Sequence, residues 1–269
     1  MYPKLFDLIY TYGLCIGIGI LLCLYVFHTF ANKKRLDKKF IDFVEYLAIF
    51  AIGFGIFFAA VFQGIYNWIA TGKFDLKDMT FIGGLIGGVA VFLAIYFWKG
   101  RKYNSSIMDM INIVPCCITI AHGFGRIGCF FAGCCYGIET DSIFGITFPG
   151  HSHAVYPTQL FEALFLLSLF GILTFLFWKY NFKHTMEIYL IAYGIFRFLI
   201  EFIRGDDRGS FIPGLTPSQF WAIVMVILGI AIWFLFDWFY KKHPNKGNIK
   251  EEEQILAEEE IGEKIETNN

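Results

Sequence analysis

Seven runs of apolar residues, each closed by a polar or charged segment, lay out the chain: 8–30, 41–68, 80–99, 107–131, 157–178, 186–204 and 216–240. Each is near the ~20 residues that cross a hydrocarbon layer as a helix. Water is absent from that layer, so a single segment satisfies its backbone groups there only by forming a helix. The pattern predicts an all-α, polytopic membrane protein with seven transmembrane helices. The first run has no basic segment ahead of it and no small-residue cleavage pattern behind it, and reads as a span rather than a removable leader.

Composition strengthens that class. The chain is 57% hydrophobic, 20% aromatic and only 17% charged, with 33 phenylalanines and a net charge of -1. Soluble domains are nearer one quarter charged. No basic stripe points to a nucleic-acid partner. Lysines and arginines set an orientation. Lys33, Lys34, Arg35, Lys38 and Lys39 follow the first run, Lys99, Arg101 and Lys102 the third, Lys179 and Lys183 the fifth, Lys241 and Lys242 the seventh. The other side is poorer: Lys73 and Lys77 are offset by Asp75 and Asp78, and loop 138–156 has neither lysine nor arginine. Arg204 and Arg208 are the exceptions there, beside Asp206 and Asp207. The alternation predicts an outer N-terminus and a cytoplasmic C-terminus. Residues 1–242 form the membrane domain. Residues 243–269, with Glu251–Glu253 and Glu258–Glu260, read as an acidic cytoplasmic tail, disordered or a short helix.

The chemistry lies where polar groups interrupt apolar runs. The stretch 122–137 reads HGFGRIGCFFAGCCYG. His122 and Arg126 are four apart, on one helical face. Arg197 and Glu201 repeat that spacing in the sixth run and can pair along a helix. Thr158, Gln159 and Glu162 open the fifth run behind Pro157, a helix-start pattern. Asp109 and Asn112 lie in the fourth. Gly83, Gly84, Gly87 and Gly88 in the third let a helix or a lipid headgroup approach the backbone. Taken together, these ionisable groups imply a lipid-accessible polar cavity opening toward the outer leaflet. Two arginines there suit an anion, because the planar guanidinium matches phosphate bidentately. The abundant anion at that depth is a phospholipid headgroup, so the chain reads as an enzyme or carrier acting on an anionic phospholipid.

Of seven cysteines, Cys15, Cys23, Cys116 and Cys117 lie in apolar runs and read as small hydrophobes. Cys129, Cys134 and Cys135 stay open between an activated nucleophile, a Cys129–Cys134 disulfide and simple packing. His151 and His153 are weak metal candidates, and the cysteines would join them only by folding back, so no metal site and no cofactor is expected. Tyr12 reads as an interface anchor.

These residues resemble the prolipoprotein diacylglyceryl transferase family. Its signature G-R-x-G-N-F-x-N-x-E-x-x-G meets Gly125-Arg126-Ile127-Gly128-Cys129-Phe130-Phe131-Ala132-Gly133-Cys134-Cys135-Tyr136-Gly137. Tyr12-Gly13-Leu14 is similar to Y-G-L, and Phe81-Ile82-Gly83-Gly84-Leu85-Ile86-Gly87 to F-H-G-G-L-I-G. Tyr156-Pro157-Thr158-Gln159-Leu160-Phe161-Glu162 is similar to H-P-S-Q-L-Y-E. Arg197 through Arg204 follows R-F-x-x-E-F-x-R, and Leu215-Thr216-Pro217-Ser218-Gln219 follows L-T-x-x-Q. The resemblance implies seven spans and transfer of a diacylglyceryl group from phosphatidylglycerol to the lipobox cysteine of a prolipoprotein. It implies phosphate binding by Arg126 and Arg197, with Glu201 orienting Arg197. Tyr12 and Gly137 would line the headgroup site, with Gly83, Gly84, Gly128, Cys129, Cys134, Gln159 and Glu162 around it. His122 is the candidate base. Ile82, Cys129, Ala132, Cys134 and Tyr156 stand where the family has histidine, asparagine, asparagine, glutamate and histidine. A different acceptor, or a non-catalytic lipid-binding relative, is the alternative that these departures leave open.

Overall fold

The apolar runs become helices, and small residues decide which helices meet. The computed structural model describes residues 4–5, 9–72, 74–76, 80–103, 110–205 and 214–242. The acidic tail, Asp109 and the Asp206–Arg208 cluster lie outside the described residues. Among those described there are seven α-helices: α1 Thr11–Lys33, α2 Lys38–Thr71, α3 Phe81–Lys99, α4 Val114–Ala132, α5 Thr158–Tyr180, α6 Thr185–Ile200 and α7 Pro217–Lys242. A two-residue antiparallel pair, β1 Lys4–Leu5 with β2 Ile9–Tyr10, precedes them. Five helices (α1, α2, α4, α5 and α7) are long and apolar enough to cross a membrane. Of the remaining two, α6 has 16 residues, and α3 is apolar over the shorter stretch Gly83–Lys99. The chain is a multi-pass membrane protein. Within the expected fourth run Met110 is helical, 111–113 form turns, and α4 begins at Val114 with Pro115 in its first turn, where its missing N–H costs nothing.

Helix pairing follows close backbone approach. The main seams are α1 with α4, α4 with α5, α2 with α3 and α6 with α7. A Cβ on Gly19 would lie 3.0 Å from the Ala121 carbonyl, and one on Gly128 would lie 3.1 Å from both Cys15 Cβ and Tyr12 Cδ2, so α1 lies directly on α4. Gly83 and Gly84 do the same for α3. A Cβ on Gly83 would meet Phe62, and one on Gly84 would sit 3.1 Å from the Gly55 carbonyl. Of the two readings of this glycine face, the structure fills it with α2. Without a hydrophobic drive between helices in lipid, such contact is what holds a seam.

The two ends of the bundle differ. At one end Phe30 stacks on Phe177 at 4.7 Å, Lys33 lies 4.4 Å over Trp178, and Thr185 Oγ1 donates to the Asn112 carbonyl at 2.8 Å. At the other end the C-termini of α4 and α6 meet the N-termini of α5 and α7, and His122, Arg126, Gln159, Glu162, Arg197 and Glu201 gather there, whereas Asn112 lies at the first end.

Candidate active site

Three helices supply the first ionic group. Glu162, one turn into α5, is completely buried. Arg126 Nε on α4 lies 3.1 Å from Glu162 Oε2, and Tyr193 Oη on α6 donates to Glu162 Oε1 at 2.8 Å. The single hydrogen on Arg126 Nε is directed to His122 Nε2 at 3.3 Å, one turn earlier on α4. Arg126 can only donate, so His122 Nε2 accepts and carries no proton in this arrangement. The imidazole sits edge-on to the Tyr193 ring, 5.3 Å between centroids, and 3.7 Å from Glu162 Oε1.

The second group lies one turn along α6. Arg197 Nη2 is 2.8 Å from Glu201 Oε2 and also donates to Ser218 Oγ at 2.8 Å. Glu201 Oε1 accepts from Thr216 Oγ1 at 3.0 Å. The start of α7 is a reciprocal cap: Thr216 N–H donates to Gln219 Oε1 and Gln219 N–H to Thr216 Oγ1. The Leu-Thr-Pro-Ser-Gln segment therefore both starts α7 and fixes the Arg197–Glu201 pair. Arg197 Nη1 is buried and has no hydrogen-bond partner among the described residues. Tyr193 and Arg197 are one turn apart, so the two arginine–glutamate pairs share the Tyr193 face of α6. Both guanidinium groups lie within electrostatic range of His122 and Tyr193.

A folded-back loop closes the third side. Thr158 Oγ1 donates to the Cys135 carbonyl at 2.7 Å, and Gln159 Nε2 to the Cys134 carbonyl at 2.6 Å. Gly137 N–H donates to the Tyr156 carbonyl at 2.7 Å, and Ile138 N–H to the Ile203 carbonyl at 2.9 Å. Any Cβ on Gly137 would run into the Ile203 carbonyl, so only glycine fits this crossing. Cys135 has φ +63, which costs a non-glycine residue about 1–2 kcal/mol. Its thiol is held below the usual thiol range by hydrogen bonds with the Cys129 thiol first, then with Cys134 and the Arg204 guanidinium. Arg204, buried, is also 3.8 Å from Glu201 Oε2.

The sequence-selected residues thus sort by position. Arg126, His122 and Glu162 form one cluster, Arg197 and Glu201 the other. Cys129, Cys134, Gly137 and Gln159 belong to the loop that packs beside them. Tyr12 rests on Gly128 from α1. Gly83 and Gly84 contact α2. All seven cysteines are free thiols. His151 stacks edge-on against Tyr136 at 4.5 Å. Tyr193, Ser218 and Thr216 were not among the selected residues. Tyr193 carried a usable signal, standing four residues before Arg197 on the same helical face, and Thr216 stood in the L-T-x-x-Q match; that Ser218 and Thr216 hold the Arg197–Glu201 pair appears only when α7 packs on α6.

The family model described as prolipoprotein diacylglyceryl transferase matches residues 4–235. The chain belongs to the prolipoprotein diacylglyceryl transferase family. It is 35% identical over 245 residues to the phosphatidylglycerol-prolipoprotein diacylglyceryl transferase 2 of Clostridium perfringens, covering 84% of this chain and 90% of that protein. Identity to the phosphatidylglycerol-prolipoprotein diacylglyceryl transferase of Clostridium tetani is 33% over 264 residues, 90% of this chain and 100% of that one. The correspondingly named protein of Wolbachia pipientis is 31% identical over 240 residues. Membership in this enzyme family makes the chain a membrane transferase.

Proposed function

We propose that this chain moves the diacylglyceryl group of phosphatidylglycerol to the lipobox cysteine thiol of a prolipoprotein, the first step of lipoprotein maturation. The observation that carries the reading is the convergence of Arg126–Glu162 and Arg197–Glu201 on the Tyr193 face of α6. Seven spans surround a polar cavity that opens to the outer leaflet, the N-terminus lies outside and the C-terminus in the cytoplasm. Residues 1–242 do the work, and 243–269 are an accessory tail.

The reaction needs a thiolate and a leaving phosphate. The acceptor thiol loses its proton, its sulfur attacks the terminal glycerol carbon of the diacylglyceryl group, the carbon–oxygen bond to phosphate breaks, and glycerol phosphate departs. One thioether forms for each phosphoester lost. The developing negative charge is on phosphate oxygens, so fixed donors aimed there lower the barrier. Arg126 and Arg197 supply those donors. Glu162, Tyr193 and His122 hold Arg126, and Glu201 with Ser218 holds Arg197, leaving Arg197 Nη1 for the phosphate. Tyr12 and Gly137 line the headgroup site, and Gly128 lets Tyr12 reach it. His122 accepts a proton only after releasing Arg126, which ties proton uptake to arrival of an anion on the guanidinium.

Purified protein given labelled phosphatidylglycerol and a lipobox peptide should release glycerol phosphate and yield the thioether-linked peptide. Release without peptide lipidation would transfer the reading to another acceptor. Bound lipid with no release would leave a lipid-binding relative.

A further inference from the structure

The transfer reading makes no use of Cys129, Cys134 and Cys135, yet their sulfur atoms all lie within 4.8 Å of one another. Their chain spacing does not bring three side chains together by itself; the fold does. The C-terminus of α4 ends in a Schellman turn. Cys134 N–H returns to the Cys129 carbonyl at 3.2 Å and Gly133 N–H to the Phe130 carbonyl at 3.1 Å, with Gly133 at φ +69. This turns Cys134 back over Cys129. Cys135 then adopts its left-handed backbone and brings in the third sulfur. Two fully buried side chains, Thr158 and Gln159, pin the carbonyls of Cys135 and Cys134. The convergence is built into the backbone and braced from α5.

We propose that Cys129, Cys134 and Cys135 form a three-thiolate site for a thiophilic cation of the Zn2+ class. A zinc–sulfur bond of about 2.3 Å in a tetrahedral site sets its sulfurs about 3.8 Å apart. Side-chain rotation closes the remaining gap without moving the loop. Cys134 is exposed, so the cation enters from the surface and its fourth position faces outward. Each thiol gives up its proton on binding, so three thiolates around a divalent cation carry one net negative charge. Two arginines offset it. Arg204 hydrogen-bonds Cys135, and Arg126 lies in electrostatic range of Cys129 and Cys135. The proposal does not depend on the transfer reaction.

The test uses the full chain in detergent, kept reduced, equilibrated with Zn2+ and freed of excess. One Zn2+ per chain is expected by elemental analysis, and X-ray absorption should show three sulfur neighbours at about 2.3 Å. Co2+ loading should give the intense near-ultraviolet sulfur-to-cobalt charge-transfer band. C129S, C134S and C135S should each weaken Zn2+ binding at least tenfold. C23S/C117S, which removes the neighbouring thiols of α1 and α4, should bind as the parent does. The proposal is overturned if the reduced parent chain retains no Zn2+. It is equally overturned if Zn2+ is bound without sulfur neighbours, or if C129S and C135S bind it undiminished. The spectroscopic readouts on the parent chain stand even where a variant does not fold.

Discussion

At the residue scale, Arg126 and Glu162 are held as a unit. Glu162 is wholly buried, and removing one member of a buried ion pair strands the other. Glu162→Ala also removes the acceptor for Tyr193 Oη, and should lower stability by about 3–5 kcal/mol. Thermal unfolding in detergent measures this, and a midpoint equal to that of the parent chain would sink the account of the pair. Arg126→Ala and Arg197→Ala should each cut glycerol phosphate release by at least ~100-fold, the usual scale for losing a donor to developing charge. Lysine at either place keeps the charge but loses the planar fork, and should recover little of the rate. His122 separates two roles. Gln at 122 still accepts from Arg126 Nε, so a positioning role predicts that His122→Gln retains most of the rate while His122→Ala loses it. Equal loss in both assigns His122 to proton transfer instead.

At the element scale, the arginine–glutamate end of the bundle depends on how helices stop. Gly133 caps α4 at positive φ, and Gly137 crosses the chain leaving α6 at backbone contact. Gly133→Ala should cost about 1–2 kcal/mol through the left-handed conformation alone. Gly137→Ala meets a carbonyl rather than a side chain, so no rotamer change relieves it. It should unseat the 134–138 loop and depress both the melting midpoint and turnover. A variant with the parent's melting curve and rate would show that this crossing is unimportant. The contrast with Gly83 and Gly84 is instructive. Their seam is with α2, so a larger side chain there should act through stability, read in the melting midpoint, before it acts on lipid turnover.

At the scale of the molecule, the proposed orientation follows from charge at the bundle ends. Lys33 and Lys34 pack on Trp178 and Phe177, at the end away from the cysteine loop. Reporter fusions at the C-terminus should therefore be active only in the cytoplasmic sense, and a membrane-impermeant thiol reagent on intact cells should reach exposed Cys134. Labelling of Cys134 only after the cells are permeabilised would reverse the orientation. A chain ended after residue 242 should keep full transfer activity, since the arginine–glutamate pairs and the loop that braces them are complete before it. Lost activity in a normally folded truncation would make the tail part of the working unit.

The apolar runs determined the class and located the seven helices among the described residues, because helix formation in lipid is a local consequence of length and hydropathy. Spacing of four also determined that His122 shares a face with Arg126, and Arg197 with Glu201. The partners across helices were decided by tertiary structure alone. Glu162 could have paired with either arginine, and its pairing with Arg126 depends on the α4–α5 seam and on Tyr193 arriving from α6. Gln159 read as a site residue and holds the Cys134 carbonyl, because the loop after α4 folds onto the start of α5. The three cysteines show the division most sharply. Their chain spacing left nucleophile, disulfide and packing open. A glycine-capped helix end, one left-handed cysteine and two buried hydrogen bonds bring the sulfurs within 4.8 Å. No local propensity encodes that meeting, since it needs α5 to be in place before the loop has anything to fold against.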